Sequence, residues 1–440
     1  MKNGTAEKPR LLVVSHVRPF PGDAGQQKRV ANMLKALRGH FTVDFLTFAR
    51  DRDRPLVTER LSQWVDRPVV MSSRTMRNPF ARVFYGVLSR LSMLACGVKY
   101  SNHLIGSVEL NEKRIGEHVR PEDYSLVLYE YIHAWRSAKL FRRRGIPCIL
   151  DMHDVLVRTY ERYLQSLRFA PRFWKRYALR RYGEEERRAW RSFDGIVAIN
   201  KAEYDELRTT FGDDMALFYA PMGIDMEEWQ YGHGPAAPPR VAYYGGLGNP
   251  NNSRDAMACY EKVMPEVWKE NPGVELWILG SNPPAALKAL EEKDPRVKVP
   301  GFVEEIKPIL GSSSVMLCPF TGRFGFRSRI VEAMALGVPV IAARDAVYGM
   351  EFENGNGIFI VDTVERMPGI INELLRDATA LNALRTSART EAERLYGFES
   401  SYGKAAREIA LFAELFPRGW QNPYGKGDDT VVPDLERRNM

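Results

Sequence analysis

Residues 322–341 read GRFGFRSRIVEAMALGVPVI. A glycine-rich loop delivers Arg323, Arg327 and Arg329 into IVEAMAL, whose apolar residues fall at helical spacing. Gly337 and Pro339 predict that the helix ends there, ahead of the apolar run VPVI. A helix N-terminus carries about half a positive charge and favours carboxylates, yet this one begins with arginines. The reversed sign points to an anion held among them. Arginine forks match phosphate oxygens in pairs, so Arg327 and Arg329 suit a diphosphate. Glu332, one turn further on, can accept from a pair of ribose hydroxyls. The competing reading is an ordinary i, i+3 pair between Arg329 and Glu332.

The same loop, helix and strand rhythm runs through most of the chain. Short apolar runs predict strands at LLVVSH, TVDFLTF, PVVM, LVLYEY, CILDMHD, GIVAIN and ALFYA, with helices such as QQKRVANMLKALR between them. After PMGIDMEEWQYGHGPAAPPR (221–240), read as a linker from its prolines and glycines, the rhythm restarts with RVAYYGGL, VELWILGS, VKVPGFV, VMLCPF, VPVIAA and GIFIV. Near-continuous apolar strands separated by helices predict parallel sheets covered on both faces. The expected fold class is therefore α/β, with two doubly wound domains in series, and ligands beyond the carboxyl ends of the strands. The expected divisions are 1–225, 226–400, a closing helix at 401–417 that crosses back to the first domain, and a tail at 418–440.

At 440 residues, with 45% hydrophobic and 27% charged, the chain has the composition of a water-soluble protein of two or three domains. No apolar run approaches the roughly 18 residues of a membrane span, and the polar N-terminus lacks a signal-peptide core, so the expected location is the cytoplasm. The four cysteines lack zinc spacing and read as buried thiols. A net charge of +8 implies anionic partners. No basic-aromatic nucleic-acid module is present, and nucleic-acid binding is not expected. Between Asp66 and Glu109 six basic residues occur without an acid, interleaved with Phe80, Phe84, Tyr85, Leu88, Leu91, Met93 and Leu94. From 158 to 191, eleven Arg and Lys face four Glu among further aromatics. Basic amphipathic segments of this kind bind anionic membrane surfaces; the alternative is that the aromatics are core.

Two further stretches carry candidate chemistry. In PFPGDAGQQKRVANML, Gly22 and Gly25 let backbone N–H groups approach a ligand at the start of a helix. LDMHDVL ends a strand and places His153 and Asp154 at the ligand side of the sheet, where a histidine can donate to a substrate hydroxyl or move a proton. His16 occupies the equivalent place after the first strand.

These motifs in order (PxPGxxGQxxR, the MHD turn, PMGID, GGLGNPNN, WILGSNPP, VPGFVEEI and RSRIVEAMALGVPVIA) resemble the retaining glycosyltransferases of family 4, over roughly residues 10–415. The resemblance is nearest to sugar transferases of bacterial exopolysaccharide systems. It implies two facing Rossmann-like domains (the GT-B architecture), transfer from a nucleotide diphosphate-sugar with retention, and no metal or other cofactor. It implies that Glu332 holds the ribose, that Arg323, Arg327 and Arg329 hold the diphosphate, and that Gly25, Gly246 and Asn251 line the donor. Phe302 falls near the base. His153 and Arg327 become the catalytic candidates, with His16 and Asp154 on the sugar or acceptor side. The implied acceptor is a glycan or a polyprenyl-diphosphate-linked sugar, and the implied setting is peripheral, at the inner face of the cell membrane. Two departures stand out. Phe324 occupies the place of an earlier glutamate that reads the donor sugar, and only Arg254 stands near the usual basic pair after GGLGNPNN. An epimerase of the same fold and a non-catalytic scaffold are the alternatives.

Overall fold

The computed structural model describes residues 8–22, 24–97, 107–232, 234–322 and 326–416. The chain divides into two compact units. One comprises Met1–Ala198, Glu206–Phe218 and Ala405–Met440, the other Ile199–Asp205 and Tyr219–Lys404.

The first unit is built on a seven-stranded sheet in the order β3-β2-β1-β4-β5-β6-β7. Its strands are β1 (Arg10–Ser15), β2 (Thr42–Ala49), β3 (Arg67–Ser72), β4 (Leu126–Glu130), β5 (Cys148–Met152), β6 (Gly195–Ala198) and β7 (Ala216–Tyr219). All pairings from β3 to β6 are parallel. The second unit orders six strands as β10-β9-β8-β11-β12-β13, paired in parallel throughout. These are β8 (Arg240–Tyr244), β9 (Glu275–Leu279), β10 (Val297–Gly301), β11 (Val315–Cys318), β12 (Val340–Ala343) and β13 (Ile358–Val361). Both are the expected doubly wound α/β arrangement, and every predicted strand is present.

The central strands β4, β5, β6, β11 and β12 are buried along their whole length, as helices on both faces require. Proline is confined to the edge strands β3 (Pro68) and β10 (Pro300), where a missing N–H breaks no ladder bond. The strand order reverses between β1 and β4, and again between β8 and β11. Those two switch points open a crevice at the carboxyl ends of each sheet, where doubly wound folds bind ligands.

The predicted helix after the arginine loop spans Ser328–Ala335. Gly337 ends it at φ 73°, and a Cβ there would overlap the Tyr231 ring. Segment 221–232 is packed rather than free. Ile224, Met226 and Trp229 lie on the apolar cluster of the second unit, and Arg389 donates to the carbonyls of Met226, Trp229 and Ala335. The proline and glycine content that suggested a linker belongs to a docked strap, whose aromatic and Met side chains pin it down. The closing helix, Lys404–Leu415, groups with the first unit from Ala405 on, and Phe412 meets Phe218 with ring centroids 5.6 Å apart. Positions 418–440 lie outside the described residues.

Candidate active site

In the second unit, four loops meet beyond the carboxyl ends of β8 to β11. Gly245 and Gly246 follow β8, Gly280 follows β9, Phe302 follows β10, and the arginine loop follows β11. The first two touch backbone to backbone: a Cβ on Gly280, at φ 155°, would sit 1.8 Å from the Gly245 carbonyl oxygen. Glycine is the one residue that fits there.

The arginines answer the charge puzzle in two ways. Arg329 turns back onto the protein. Its Nη1 donates to the Tyr244 carbonyl at 3.1 Å and to the Tyr243 hydroxyl at 3.4 Å, and its Nη2 donates to Asn252 Oδ1 at 3.1 Å. Asn252 Nδ2 in turn donates to the Gly246 carbonyl at 2.8 Å. Arg329 thus props the β8 loop, and a Cβ at Gly245 would collide with its guanidinium. Burial disfavours its charge, but Cys318, Tyr243 and Asp255 outweigh that and raise its pKa. Arg327, at the N-cap, lays its guanidinium over the Phe320 ring at 3.6 Å. Such a stack uses the flat face of the fork, not the in-plane N–H groups that bind phosphate oxygens.

Glu332 is buried one turn into the helix and accepts from the Tyr244 hydroxyl. Burial first, and then the Glu332 carboxylate, push the Tyr244 phenol well above its ordinary pKa. Asp255 nearby is also pushed up by burial, opposed by Arg329, Arg254 and Arg327. Phe302 is 77% exposed, as a stacking platform would be. Asn251 is exposed and its Oδ1 accepts from Arg254. Arg323 and Phe324 lie outside the described residues.

The first unit gathers a second polar cluster at its own switch point. Helix Gly25–Leu37 starts at Gly25, and Gln27 orders the preceding loop by accepting from the N–H groups of Gly22 and Ala24. Arg29 lies on the buried side of this helix. Its guanidinium forms a fully buried ion pair with Asp151, Nε donating to both carboxylate oxygens at 3.0 Å. His153 Nε2 lies 2.5 Å from Glu130 Oε2, and 3.8 Å from Asp151. Glu130, Asp151 and His153 have the donor types of a metal site, but the Arg29 guanidinium already supplies a cation among them.

Tyr131 stacks on His153 with centroids 4.0 Å apart, and its hydroxyl donates to Gln26 Oε1 at 3.1 Å. It is held at φ 67°, ψ 160°, a region that costs a side-chain-bearing residue on the order of 1–3 kcal/mol and recurs at functional sites. His16 and His133 complete the group, 4.5 Å apart and each 5.4 Å from Tyr131. His16 and His153 therefore meet around Tyr131. Asp154 turns elsewhere, accepting from Thr159 Oγ1 at 3.0 Å. Sequence reasoning missed Arg29, Glu130, Tyr131, Asp151, Tyr244 and Asn252.

Burial raises the Glu130 carboxyl to about 7, with Arg29 opposing, and lowers His153 to about 3, with Asp151 opposing. Between about pH 3 and pH 7 the folded pair thus holds one proton, on Glu130, whose O–H donates to neutral His153. An unfolded Glu and His with ordinary values of 4.5 and 6.5 also hold one proton between those limits, on His instead. The pH dependences of the two groups therefore cancel from pH 4.5 to 6.5, although both shifts cost stability. Removing either partner exposes the other. In Glu130→Gln the unfolded state binds the extra proton, so stability should rise with pH up to 6.5. In His153→Asn the folded state binds it, so stability should fall as pH rises from 4.5 to 7. The limiting slopes are about 1.4 kcal/mol per pH unit, with opposite signs. Urea melts across that range test this, and parallel profiles in the two variants would contradict the shared proton.

Comparison with known proteins follows the same lines. Residues 24–221 match the glycosyl transferase 4-like domain, and residues 238–377 match the family described as glycosyl transferases group 1. No curated protein matches the sequence. Among solved structures, sucrose-phosphate synthase from Thermosynechococcus elongatus is similar at a TM-score of 0.60 and 15% identity, covering 93% of this chain and 99% of that one. HepE of Anabaena, in complex with UDP, gives 0.56 at 16% identity over 92% and 99% of the two chains. The same protein has been solved with UDP-glucose. TarM gives 0.57 at 11% identity over 92% and 98%.

Proposed function

We propose, for a chain that is a glycosyltransferase of the GT-B architecture, that it transfers a sugar from a nucleotide diphosphate-sugar to a glycan or polyprenyl-diphosphate-linked acceptor. The observation that carries the donor half is Glu332. It is a buried carboxylate one turn inside helix Ser328–Ala335, whose N-cap is Arg327, beside a glycine loop that leaves open space at Gly246. A ribose diol is the ligand that wants an acceptor there, and a diphosphate is the neighbour that wants the arginines. HepE, solved with UDP and UDP-glucose on a similar fold, supports this class of donor.

As the donor bond breaks, negative charge builds on the leaving diphosphate. In this reading Arg327 and the first N–H groups of helix Ser328–Ala335 stabilise it, which lowers the barrier where charge develops. Arg329 acts by holding the β8 loop in place. We extend the resemblance to family 4 to retention of configuration and to a reaction without metal: the arginines supply the positive charge, and the leaving phosphate takes the acceptor's proton. His153 then orients the sugar or acceptor, with its ring set by Glu130 and Tyr131. A thermal-shift panel of nucleotide sugars tests the donor assignment. A donor at a hundred times its dissociation constant should stabilise the fold by about 2.7 kcal/mol. A flat panel at millimolar concentrations would count against it.

Peripheral attachment at the inner face of a cell membrane, in surface polysaccharide or glycolipid synthesis, completes the proposal. No helix among the described residues is long and apolar enough to cross a membrane. Helix Pro79–Cys96, however, turns Phe80, Val83, Phe84, Val87, Leu91 and Leu94 outward at helical spacing, Phe80 being 86% exposed. Phe169 is exposed just before helix Arg172–Trp190, and Phe173 and Tyr177 are exposed in its first two turns. The two meet where Trp174 Nε1 donates to the Leu94 carbonyl at 3.4 Å. Arginines flank both stretches, a pattern suited to anionic lipid. At about 1 kcal/mol per well-placed cation, Arg77→Glu, Arg82→Glu and Arg90→Glu together should cut binding to anionic vesicles on the order of a hundredfold. Wild-type protein that ignores such vesicles at low salt would remove the membrane from the proposal.

A further inference from the structure

We infer that the first unit carries an anion pocket for the phosphate of a phosphorylated acceptor, held by Arg18 and Arg60; the word acceptor rests on the transferase reading, the pocket does not. An open cavity of about 440 Å³ lies between the loop after β1 and helix Arg54–Leu61, lined among others by His16, Arg18, Phe20, Asp53, Leu56 and Arg60. That is within the usual range for small-molecule sites.

Its charge is unbalanced. Among the described residues two guanidinium groups face it with one carboxylate, and Asp53 is drawn to Arg52 at 3.5 Å. Arg18 is half-buried, and burial lowers its pKa, with Asp53 the opposing influence. Among the described residues no carboxylate comes within ion-pair distance of Arg18 or Arg60. Arg60 has its guanidinium 5.8 Å from the Phe20 ring centroid. A cation partly removed from water, without an ion-pair contact, is costly in a resting protein. It is useful where a ligand brings the anion. Two forks at one cavity suit the several oxygens of a phosphate better than a lone carboxylate.

The position ties the pocket to the reaction. His16 lines it and also packs against Tyr131 and His133, while Gln26 lines it and accepts from the Tyr131 hydroxyl. Tyr131 stacks on His153. A ligand anchored by its phosphate on Arg18 and Arg60 is thus bound next to the His16, Tyr131 and His153 cluster. Phe20, Leu56 and Val57 offer an apolar wall for a sugar face. The described lining residues all belong to the first unit.

Calorimetric titration of the full chain with a set of hexose phosphates, the matching neutral hexoses and a detergent-dispersed polyprenyl-diphosphate sugar tests this, in wild type and in Arg18→Gln/Arg60→Gln. The expected result is binding of at least one phosphorylated probe, weakened tenfold or more in the double variant, while the affinity for a nucleoside diphosphate is retained. Binding of the hexose phosphates would mark a soluble acceptor, and binding of the polyprenyl probe alone a lipid-linked one; either supports the pocket. Phosphorylated probes held no better than neutral hexoses, or held equally by the double variant, would overturn it. So would parallel loss of nucleoside diphosphate affinity, which would assign the arginines to the donor. A chain that keeps arginine-dependent phosphate binding but turns over no nucleotide sugar would leave the pocket standing and contradict the transferase reading alone.

Discussion

Glu332→Ala is expected to weaken nucleotide-sugar binding on the order of ten- to a hundredfold, with the fold intact. A charge-assisted hydrogen bond in a partly dry site is worth roughly 1.5–3 kcal/mol, and Glu332 is 6% exposed. The substitution also strips the Tyr244 hydroxyl of its acceptor, so Tyr244→Phe is the control. It removes that bond while keeping the carboxylate, and should bind donor nearly as wild type does. Arg327→Ala should lose affinity on a similar scale, because its guanidinium stands at the cap of the same helix. Calorimetry with the nucleotide sugar selected by thermal shift decides the matter. Wild-type affinity in both Glu332→Ala and Arg327→Ala would remove the donor from this rim.

The second large effect lies in the first unit. Arg29→Met should destabilise the protein by about 3–5 kcal/mol, the usual consequence of leaving one partner of a buried ion pair without the other. Asp151 would remain fully buried with its carboxylate unpaired, beside Glu130 and 3.8 Å from His153. The double variant Arg29→Met/Asp151→Leu removes both charges and should recover most of the loss, since apolar replacement of a whole buried pair is often neutral. Urea denaturation measures both. Additive losses in the double variant would show that Arg29 and Asp151 act separately.

Much of this architecture was legible in the residues. Strands such as LVLYE and CILDM announce themselves because a doubly covered sheet leaves no solvent face to alternate with. Ser328–Ala335 was legible because Gly337 stops it and its apolar spacing is helical. What escaped was pairing across distance. Arg29 and Asp151 stand 122 positions apart, and no local pattern joins them. A signal was nonetheless present: Arg29 shares the buried side of its helix with Met33, Ala36 and Leu37, and Glu130 and Asp151 interrupt otherwise apolar central strands. Charges in such places need partners.

The arginine loop shows the opposite difficulty. The sign of its charge was informative, but whether a guanidinium turns outward to a ligand or inward to the backbone is decided by the shape of the β8 loop. Arg329 turns inward because the loop offers it the Tyr244 carbonyl and Asn252 Oδ1, and because Gly245 leaves it room. Arg327 has an aromatic ring to lie on. Two residues apart in sequence, they do different work. His153 and Asp154 are likewise adjacent and diverge, one toward Glu130 and the other toward Thr159.

In the proposed reaction a sugar leaves a nucleotide diphosphate and joins a separate acceptor. Mass analysis of the reaction with the donor that stabilises the fold, with and without candidate acceptors, tests it most directly. The expected products are nucleoside diphosphate and glycosylated acceptor in equal amounts, both falling sharply in Glu332→Ala. A sugar altered while still on its nucleotide, or a bound donor that yields no nucleoside diphosphate with any acceptor, would contradict it.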